Sequence, residues 1–215
     1  MRHATGGMRQ LVDGVPVIPV LVIEKLADAV PMAVALLEGG MRVLEVTLRS
    51  PAALQAIEAM VRAVPGATVG AGTILNRDDA ARARAAGAAF AVSPGYTPEL
   101  GVACAELGLP LLPGAATATE VMAALDDGHD FLKFFPAEAA GGIAMLKSLA
   151  GPFPQVAFCP TGGISPANLE HYLSLANVMC VGGSWLTPSD LVRRGDWAGV
   201  TALCRSASST AGRLR

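Results

Sequence analysis

Two charged side chains stand inside runs of apolar residues typical of buried β-strands. Glu45 lies in the run 42–48, and Lys133 lies in the run 131–135 among phenylalanines. Alternation along each strand places both on the inward phase, where a charge is costly and needs a reason. An amine in apolar surroundings favours its neutral, nucleophilic form, and a carboxylate opposite it can move protons. The pattern predicts Schiff-base chemistry of the class I aldolase type.

Lysine usage supports a special role for Lys133. The chain contains 13 Arg and three Lys, so most basic positions are filled by the residue that does not deprotonate. Lys25 and Lys147, the other two lysines, are expected at the surface. The alternative is that Glu45 and Lys133 form a buried ion pair with a structural role only.

Glycine pairs mark a second candidate subsite. Gly162 and Gly163 follow the seventh strand-like run, and Ser184 follows the glycines that end the eighth. Backbone N–H groups can approach an anion closely at such glycines, and these two loops are the usual phosphate site of a barrel. We therefore predict a phosphate site here, although glycine pairs are also common in ordinary turns.

Arg49 and Thr73 stand at the ends of the second and third strand-like runs. A guanidinium and a hydroxyl there can hold a carboxylate. Arg49 is also compatible with a surface position before a turn, and Thr73 with an ordinary strand end.

The elements that position these residues form a repeating β-α pattern. Each apolar run is followed by an Ala-rich amphipathic stretch. The eight runs span residues 15–23, 42–48, 68–73, 90–93, 110–113, 131–135, 156–160 and 178–182. Six residues are suited to open the helices that follow, namely Asp28, Ser50, Asn76, Thr97, Thr117 and Ser165.

Eight β-α units predict a single-domain α/β fold, a (β/α)8 TIM barrel spanning residues 15–215 after a lead-in segment at 1–14. An open doubly wound sheet is the alternative, but it more often has five or six strands. In a barrel, strands two and six lie on opposite sides, so Glu45 and Lys133 are expected to face each other. The tail, residues 203–215, is predicted to form a last helix that frays.

Composition excludes several classes of protein. A net charge of -2 and 5% aromatic residues provide no basic, base-stacking surface, so nucleic-acid binding is not expected. The longest apolar run has nine residues, far fewer than the roughly 20 of a membrane helix. The first residues lack the pattern of a secretory signal, and a cytoplasmic location is expected.

Cysteine and histidine provide no metal-ligand spacing. Cys104, Cys159, Cys180 and Cys204 are interpreted as small buried apolar residues. His3, His129 and His171 stand alone and are interpreted as surface or cap residues. No metal or other cofactor is expected.

Five segments resemble the KDPG aldolase family, the 2-dehydro-3-deoxy-phosphogluconate aldolases of the Entner–Doudoroff pathway. The strings K-F-F-P-A-E and C-P-T-G-G-I-S-P are the most specific, and the likeness extends from about residue 15 to residue 185. The segments are residues 44–49, 69–73, 93–95, 131–138 and 158–166.

The resemblance implies a homotrimeric barrel that acts on a small phosphorylated keto acid. It makes Lys133 the Schiff-base lysine and Glu45 the general acid/base. The residues implied to bind substrate are Arg49 and Thr73 for the pyruvate carboxylate, Gly162, Gly163 and Ser184 for the phosphate, Phe135 and Pro94 as pocket walls, and Thr161 for the stereochemistry at C4.

Residues 114–120 depart from the hydroxyl-rich sequence expected in that family and are closer to phosphogalactonate aldolases. The gluconate substrate is still favoured, because 93–95 and the K-F-F-P string fit it better. Side activity on 4-hydroxy-2-oxoglutarate and oxaloacetate is expected, since both need only the same iminium. A sugar-phosphate isomerase and a non-catalytic sugar-phosphate-binding barrel are the alternatives from other classes.

Overall fold

The computed structural model describes residues 6–212. Its strands are short and buried. They are β1 (Val17–Leu21), β2 (Val43–Thr47), β3 (Thr68–Gly72), β4 (Ala91–Val92), β5 (Leu111–Leu112), β6 (Gly114–Ala115), β7 (Phe131–Phe134), β8 (Ala157–Pro160) and β9 (Val181–Gly183).

After an initial helix, helices and strands alternate along most of the described residues. They are α1 (Gly6–Leu11), α2 (Leu26–Glu38), α3 (Ala53–Ala63), α4 (Arg77–Ala85), α5 (Pro98–Glu106), α6 (Ala118–Asp126), α7 (Gly142–Ala150), α8 (Leu169–Leu173), α9 (Ser189–Arg194) and α10 (Trp197–Gly212). The predicted last helix is therefore part of α10, which begins earlier than expected and packs against α2.

The fold is α/β, with a curled parallel sheet of six strands in the order β5-β4-β3-β2-β1-β9. A second parallel sheet has the order β6-β7-β8. The eight predicted strands are all found, but they do not form the single continuous sheet that a complete (β/α)8 TIM barrel predicts. The fifth predicted strand, 110–113, is found as β5. The chain continues beyond Pro113, which has no N–H to donate to a ladder, as β6 in the second sheet. Between β8 and β9, the pairing consists of two isolated bridges, Phe158 with Val178 and Thr161 with Gly182.

Polar side chains that cap the N-terminal ends explain where three of the helices begin. The side chain of Asn76 accepts a hydrogen bond from the Asp79 N–H at the start of α4. Thr97 caps α5 in the same way. Thr117 and Glu120 form a capping box at α6, and the backbone N–H groups that Glu120 accepts lower the pKa of its carboxyl. The predicted cap residues are confirmed at these three helices.

Asp28 instead lies inside α2, and α3 and α8 follow Ala52 and Asn168 with no side-chain cap, so Asp28, Ser50 and Ser165 are not N-caps. The Ser50 hydroxyl is engaged elsewhere, since it donates to the Ile23 carbonyl.

The core has two parts, divided by the alternation of the strands. One part lies between the sheets and the helices and contains Leu44, Val46, Leu132 and Phe134. The other lies on the opposite face of the strands and contains Ile18, Val43, Phe90 and Phe131, together with Met8 and Val12. Residues near α1 thus fill one end of the interior, although the sequence assigned them to a lead-in segment.

The four cysteines are buried and reduced, as predicted. His129 is different: it is only 4% exposed, and its ring packs edge-on against Tyr96 with centroids 5.1 Å apart. The interpretation of His129 as a surface or cap residue is therefore wrong, because a tyrosine distant in sequence supplies a buried aromatic partner. His171 is exposed on α8, and His3 lies outside the described residues.

Candidate active site

Glu45 and Lys133 meet in the interior, as the strand alternation predicts. Glu45 comes from the middle of β2 and Lys133 from β7. Lys133 Nζ lies 3.2 Å from Glu45 Oε1 within hydrogen-bonding distance, with the two side chains 7% and 3% exposed. The amine is thus not surrounded by apolar groups alone, because it has a carboxylate partner that can accept its proton.

Two neighbours shape this pair. Lys133 Nζ lies 5.2 Å from the centre of the Phe135 ring, within the range of a cation–π contact. On the other side, the Glu45 carboxylate occupies the space above Gly72, where a Cβ would overlap it. Gly72 therefore provides the room that Glu45 needs to reach Lys133.

A polar chain connects Arg49 through Thr47 to the backbone of β1. Thr47 Oγ1 donates a hydrogen bond of 2.9 Å to the Leu21 carbonyl, and Arg49 Nε donates one of 3.2 Å to Thr47 Oγ1. These bonds fix the direction of the guanidinium. Thr73 lies on the neighbouring strand end with φ +60°, a left-handed conformation that is strained for a β-branched residue.

The glycine loop after β8 turns its carbonyls away from the cavity. The Gly162 carbonyl accepts from the Glu138 N–H at 3.1 Å, and the Gly163 carbonyl accepts from Asn168 Nδ2 at 3.0 Å. The C=O and the next N–H of a trans peptide point in opposite directions. The N–H groups of Gly163 and Ile164 therefore point away from Glu138 and Asn168. Gly162 and Gly163 have φ +100° and +82°, which favour glycine.

One cavity of about 270 Å³ brings all ten predicted site residues together. They are Glu45, Arg49, Thr73, Pro94, Lys133, Phe135, Thr161, Gly162, Gly163 and Ser184. The same cavity is also lined by four residues to which the sequence assigned no role, namely Val20, Thr47, Ile164 and Gly182.

The sequence contains a signal for two of these four additional residues. Thr47 shares the inward phase of β2 with Glu45, and Gly182 lies in the glycine pair next to Ser184. Val20 and Ile164 have no signal of this kind, because an apolar residue in a strand or loop does not reveal which cavity it lines.

Neither a membrane-spanning helix nor a metal-binding cluster is present in residues 6–212. None of the helices there has the length and hydropathy needed to cross a membrane. No group of three or more His, Cys, Asp or Glu side chains there is arranged to hold a metal ion.

Comparisons with known proteins agree on one family. The family model described as KDPG and KHG aldolase matches residues 8–203. The KHG/KDPG aldolase of Escherichia coli strain K12 is 55% identical over 192 residues, which are 89% of this chain and 90% of that protein.

Two solved structures are similar over most of their length. The 2-keto-3-deoxy-6-phosphogluconate aldolase of Zymomonas mobilis ZM4, with 3-phosphoglycerate, has a TM-score of 0.90 and 50% identity, covering 96% of this chain and 97% of that one. The KDPG aldolase of Legionella pneumophila, with pyruvate captured as a covalent carbinolamine, has a TM-score of 0.87 and 50% identity, covering 89% and 93%.

Proposed function

We propose, since the chain belongs to the KDPG and KHG aldolase family, that it is a Schiff-base lyase of the Entner–Doudoroff pathway. It cleaves 2-dehydro-3-deoxy-6-phosphogluconate to pyruvate and glyceraldehyde 3-phosphate. The observation that carries the proposal is the buried contact of 3.2 Å between Lys133 Nζ and Glu45 Oε1. This pair places a nucleophile beside its proton acceptor in the cavity that the other candidate site residues line.

The reaction begins when Glu45 takes a proton from the Lys133 ammonium. The neutral amine attacks the C2 ketone, and Glu45 relays protons while the carbinolamine loses water to give an iminium. Glu45, directly or through a water, then removes the C4 hydroxyl proton. The C3–C4 bond breaks, its electron pair enters the iminium to form an enamine, and glyceraldehyde 3-phosphate leaves. Protonation at C3 and hydrolysis release pyruvate.

The carboxylate and the phosphate of the substrate bind on different sides of the Glu45–Lys133 pair. Arg49 and Thr73 hold the pyruvate carboxylate, and Thr47 orients the Arg49 guanidinium through the bond of 3.2 Å. Phe135 and Pro94 wall the cavity, which aligns the C2 carbonyl with Lys133.

The other side takes the phosphate and the C4 hydroxyl. Gly162, Gly163 and Ser184 hold the phosphate, which the N–H groups of the glycine loop are suited to receive. Thr161 influences the configuration accepted at C4. Its hydroxyl lies 3.3 Å from the Cys159 carbonyl and is buried beside the cavity.

The gluconate substrate is favoured over its galactonate epimer. In the divergent segment, Thr117 caps α6 through the Glu120 N–H, so this hydroxyl is engaged in helix capping. The departure of residues 114–120 from the hydroxyl-rich family sequence therefore bears less on the substrate than its composition suggests. Activity on 4-hydroxy-2-oxoglutarate and oxaloacetate accompanies the main reaction.

The proposed reaction is tested by coupling pyruvate release to lactate dehydrogenase. We expect cleavage of the phosphogluconate derivative, slower cleavage of its C4 epimer, and rates unchanged by EDTA. A preference for the epimer would assign the chain to the phosphogalactonate aldolases. Binding of both compounds without pyruvate release would favour a non-aldolase sugar-phosphate-binding barrel.

We also propose that the two sheets form one closed (β/α)8 barrel, with residues 15–215 as a single domain. The support is that only Pro113 separates β5 from β6, while bridges at Phe158 and Thr161 connect β8 with the β9 region. Residues 1–14 form the lead-in to this domain.

We propose that the chain forms a homotrimer and is located in the cytoplasm. Leu75 and Val102 are 59% and 41% exposed, and both line one surface groove beside α4 and α5. Apolar side chains gathered in one groove are suited to burial between subunits. Light scattering on the purified chain is expected to give three times the chain mass, and a monomer mass would contradict this.

A further inference from the structure

A tyrosine and a glutamate lie directly behind the glycine loop, outside the cavity. Glu138 follows the strand that carries Lys133, and Tyr172 belongs to α8. The Tyr172 hydroxyl donates a hydrogen bond to Glu138 Oε1, although 34 residues separate them. The Tyr172 side chain is completely buried, so the position of its hydroxyl is fixed by packing.

Glu138 contacts the loop through both its backbone and its side chain. Its N–H donates to the Gly162 carbonyl at 3.1 Å, and the preceding N–H of Ala137 donates to the Thr161 carbonyl at 2.8 Å. The Cβ and Cγ of Glu138 fill the space where a Cβ on Gly163 would lie. The direction of the loop N–H groups therefore depends on where the Glu138 side chain is held.

We propose that the Tyr172–Glu138 pair is a positioning device for the Gly162–Gly163 loop and sets the affinity for the phosphate end of the substrate. This inference rests on the proposed function, in which that loop receives the phosphate. The pair does not touch the reacting carbons. Its loss weakens binding of the phosphorylated substrate and leaves Schiff-base chemistry at Lys133 intact.

Electrostatics explains why a tyrosine is needed there. A carboxylate close to an anion-binding loop repels the anion, and the repulsion depends on distance, so the position in which the Tyr172 hydroxyl holds the exposed Glu138 carboxylate affects the affinity for the anion. Burial raises the pKa of Tyr172 above its ordinary value, and its hydrogen bond to Glu138 and the nearby negative charge raise it further. A tyrosine is already neutral at physiological pH, and these effects keep Tyr172 a hydrogen-bond donor to more alkaline pH.

A second tyrosine provides a matched control. The Tyr96 hydroxyl donates to Asp127 Oδ2 at 2.6 Å, and burial followed by that bond raises the pKa of Tyr96 in the same direction. The Tyr96–Asp127 pair joins the segment before α5 to the end of α6 and does not contact the glycine loop. Tyr96→Phe removes the same chemical group from a different place.

The experiment compares two reactions of each variant. Cleavage of 2-dehydro-3-deoxy-6-phosphogluconate needs the phosphate subsite, whereas exchange of the pyruvate methyl protons for deuterium, followed by NMR, needs only the Schiff base and the enamine. Tyr172→Phe and Glu138→Ala are expected to raise KM for the phosphorylated substrate about tenfold, with kcat and methyl exchange within about twofold of wild type.

Two further variants test whether the effect belongs to this contact. Glu138→Gln keeps an oxygen that accepts from Tyr172 and removes the negative charge, so its KM is expected to be no higher than that of the wild type. Tyr96→Phe is expected to lower thermal stability and to leave KM unchanged. Inorganic phosphate, used as a competitive inhibitor, is expected to bind more weakly to Tyr172→Phe than to Tyr96→Phe.

The outcomes separate the two proposals. If the wild type does not cleave the phosphorylated substrate, the proposed function fails, and this inference fails with it. If the wild type cleaves it but Tyr172→Phe and Tyr96→Phe have the same KM, only the inference is overturned. A parallel loss of methyl exchange, or a Glu138→Gln variant as impaired as Glu138→Ala, also overturns it.

Discussion

The two ends of the interior are built by the same strands and have opposite chemistry. Val43 of β2 and Phe131 of β7 lie in an apolar cluster with Met8 and Val12. Two residues further along the same strands, Glu45 and Lys133 form the buried ion pair. A step of two residues is about 7 Å along a strand, so the change from packing to chemistry is abrupt. The apolar end stabilises the scaffold, and the geometry of the polar end depends on the rigidity that this packing provides.

The largest expected effect comes from changing the nucleophile at the polar end. Lys133→Arg keeps a positive charge beside Glu45 but cannot form a Schiff base, so cleavage is expected to fall by at least about 10⁴-fold. Stopped-flow or overnight pyruvate assays measure the loss. Lys147→Arg, at an exposed position of α7, is the control and should retain wild-type turnover. Residual turnover in Lys133→Arg above that limit would mean that another amine reacts.

The second-largest effect is expected from filling the space that the Glu45 carboxylate occupies. Gly72→Ala adds a Cβ that overlaps the Glu45 carboxylate and displaces it from Lys133. Since general acid–base catalysis contributes about 10²- to 10⁴-fold, kcat is expected to fall by about 10²-fold. Gly151→Ala adds the same atom at the end of α7, where the nearest atom is an ordinary contact at 3.9 Å. Equal kcat values in the two variants would contradict the assigned role of Glu45.

The sequence predicted the strands and this ion pair because both follow from local patterns. Apolar runs locate buried strands, and alternation assigns each side chain to a face, which placed Glu45 and Lys133 in one interior. The helix starts at Asn76, Thr97 and Thr117 were likewise predicted from local sequence patterns. The ten site residues were assigned partly by family resemblance, and the structure brings all of them to one cavity.

Contacts between distant segments could not be predicted in this way. Nothing local indicates that Tyr172 reaches Glu138, or that His129 is buried against Tyr96. The burial of Met8 and Val12 depends equally on where α1 packs. Pro113 carries a local signal, since it lacks an N–H. Its effect on the sheet depends on which neighbouring strand lies beside it, and the local sequence does not indicate that strand.

At the apolar end, truncation should affect stability and leave chemistry unchanged. Met8 is 1% exposed, and Met8→Ala is expected to cost about 2–5 kcal/mol of the unfolding free energy, measured by urea titration. Its kcat should equal that of the wild type at a temperature where the variant is folded. Met122, which is 58% exposed, is the control, with an expected change within about 0.5 kcal/mol. A large fall in kcat for folded Met8→Ala would show that the two ends are coupled.

The smallest expected effect lies in the helix layer, outside both ends. Burial raises the pKa of Cys104 from 9.0 to about 11 and that of Cys204 to about 12. The folded state therefore holds these protons more tightly than the unfolded state. Their contribution to stability is complete below pH 9.0 and is lost as the pH rises through about 11 to 12.

Urea titrations at about pH 8 and about pH 10.5 measure this loss. A Cys104→Ala/Cys204→Ala variant should lose less stability over the same interval, by about 1–3 kcal/mol. An identical pH dependence in the two proteins would contradict the assignment to these thiols.

Reductive trapping identifies the amine that forms the Schiff base with pyruvate. The protein is incubated with pyruvate and sodium borohydride, and the modified peptide is identified by mass spectrometry. We predict one adduct with the mass of reduced pyruvate, located on Lys133, in protein that has lost its cleavage activity. A folded protein that forms no adduct, or that carries the adduct on Lys25 or Lys147, would contradict the account.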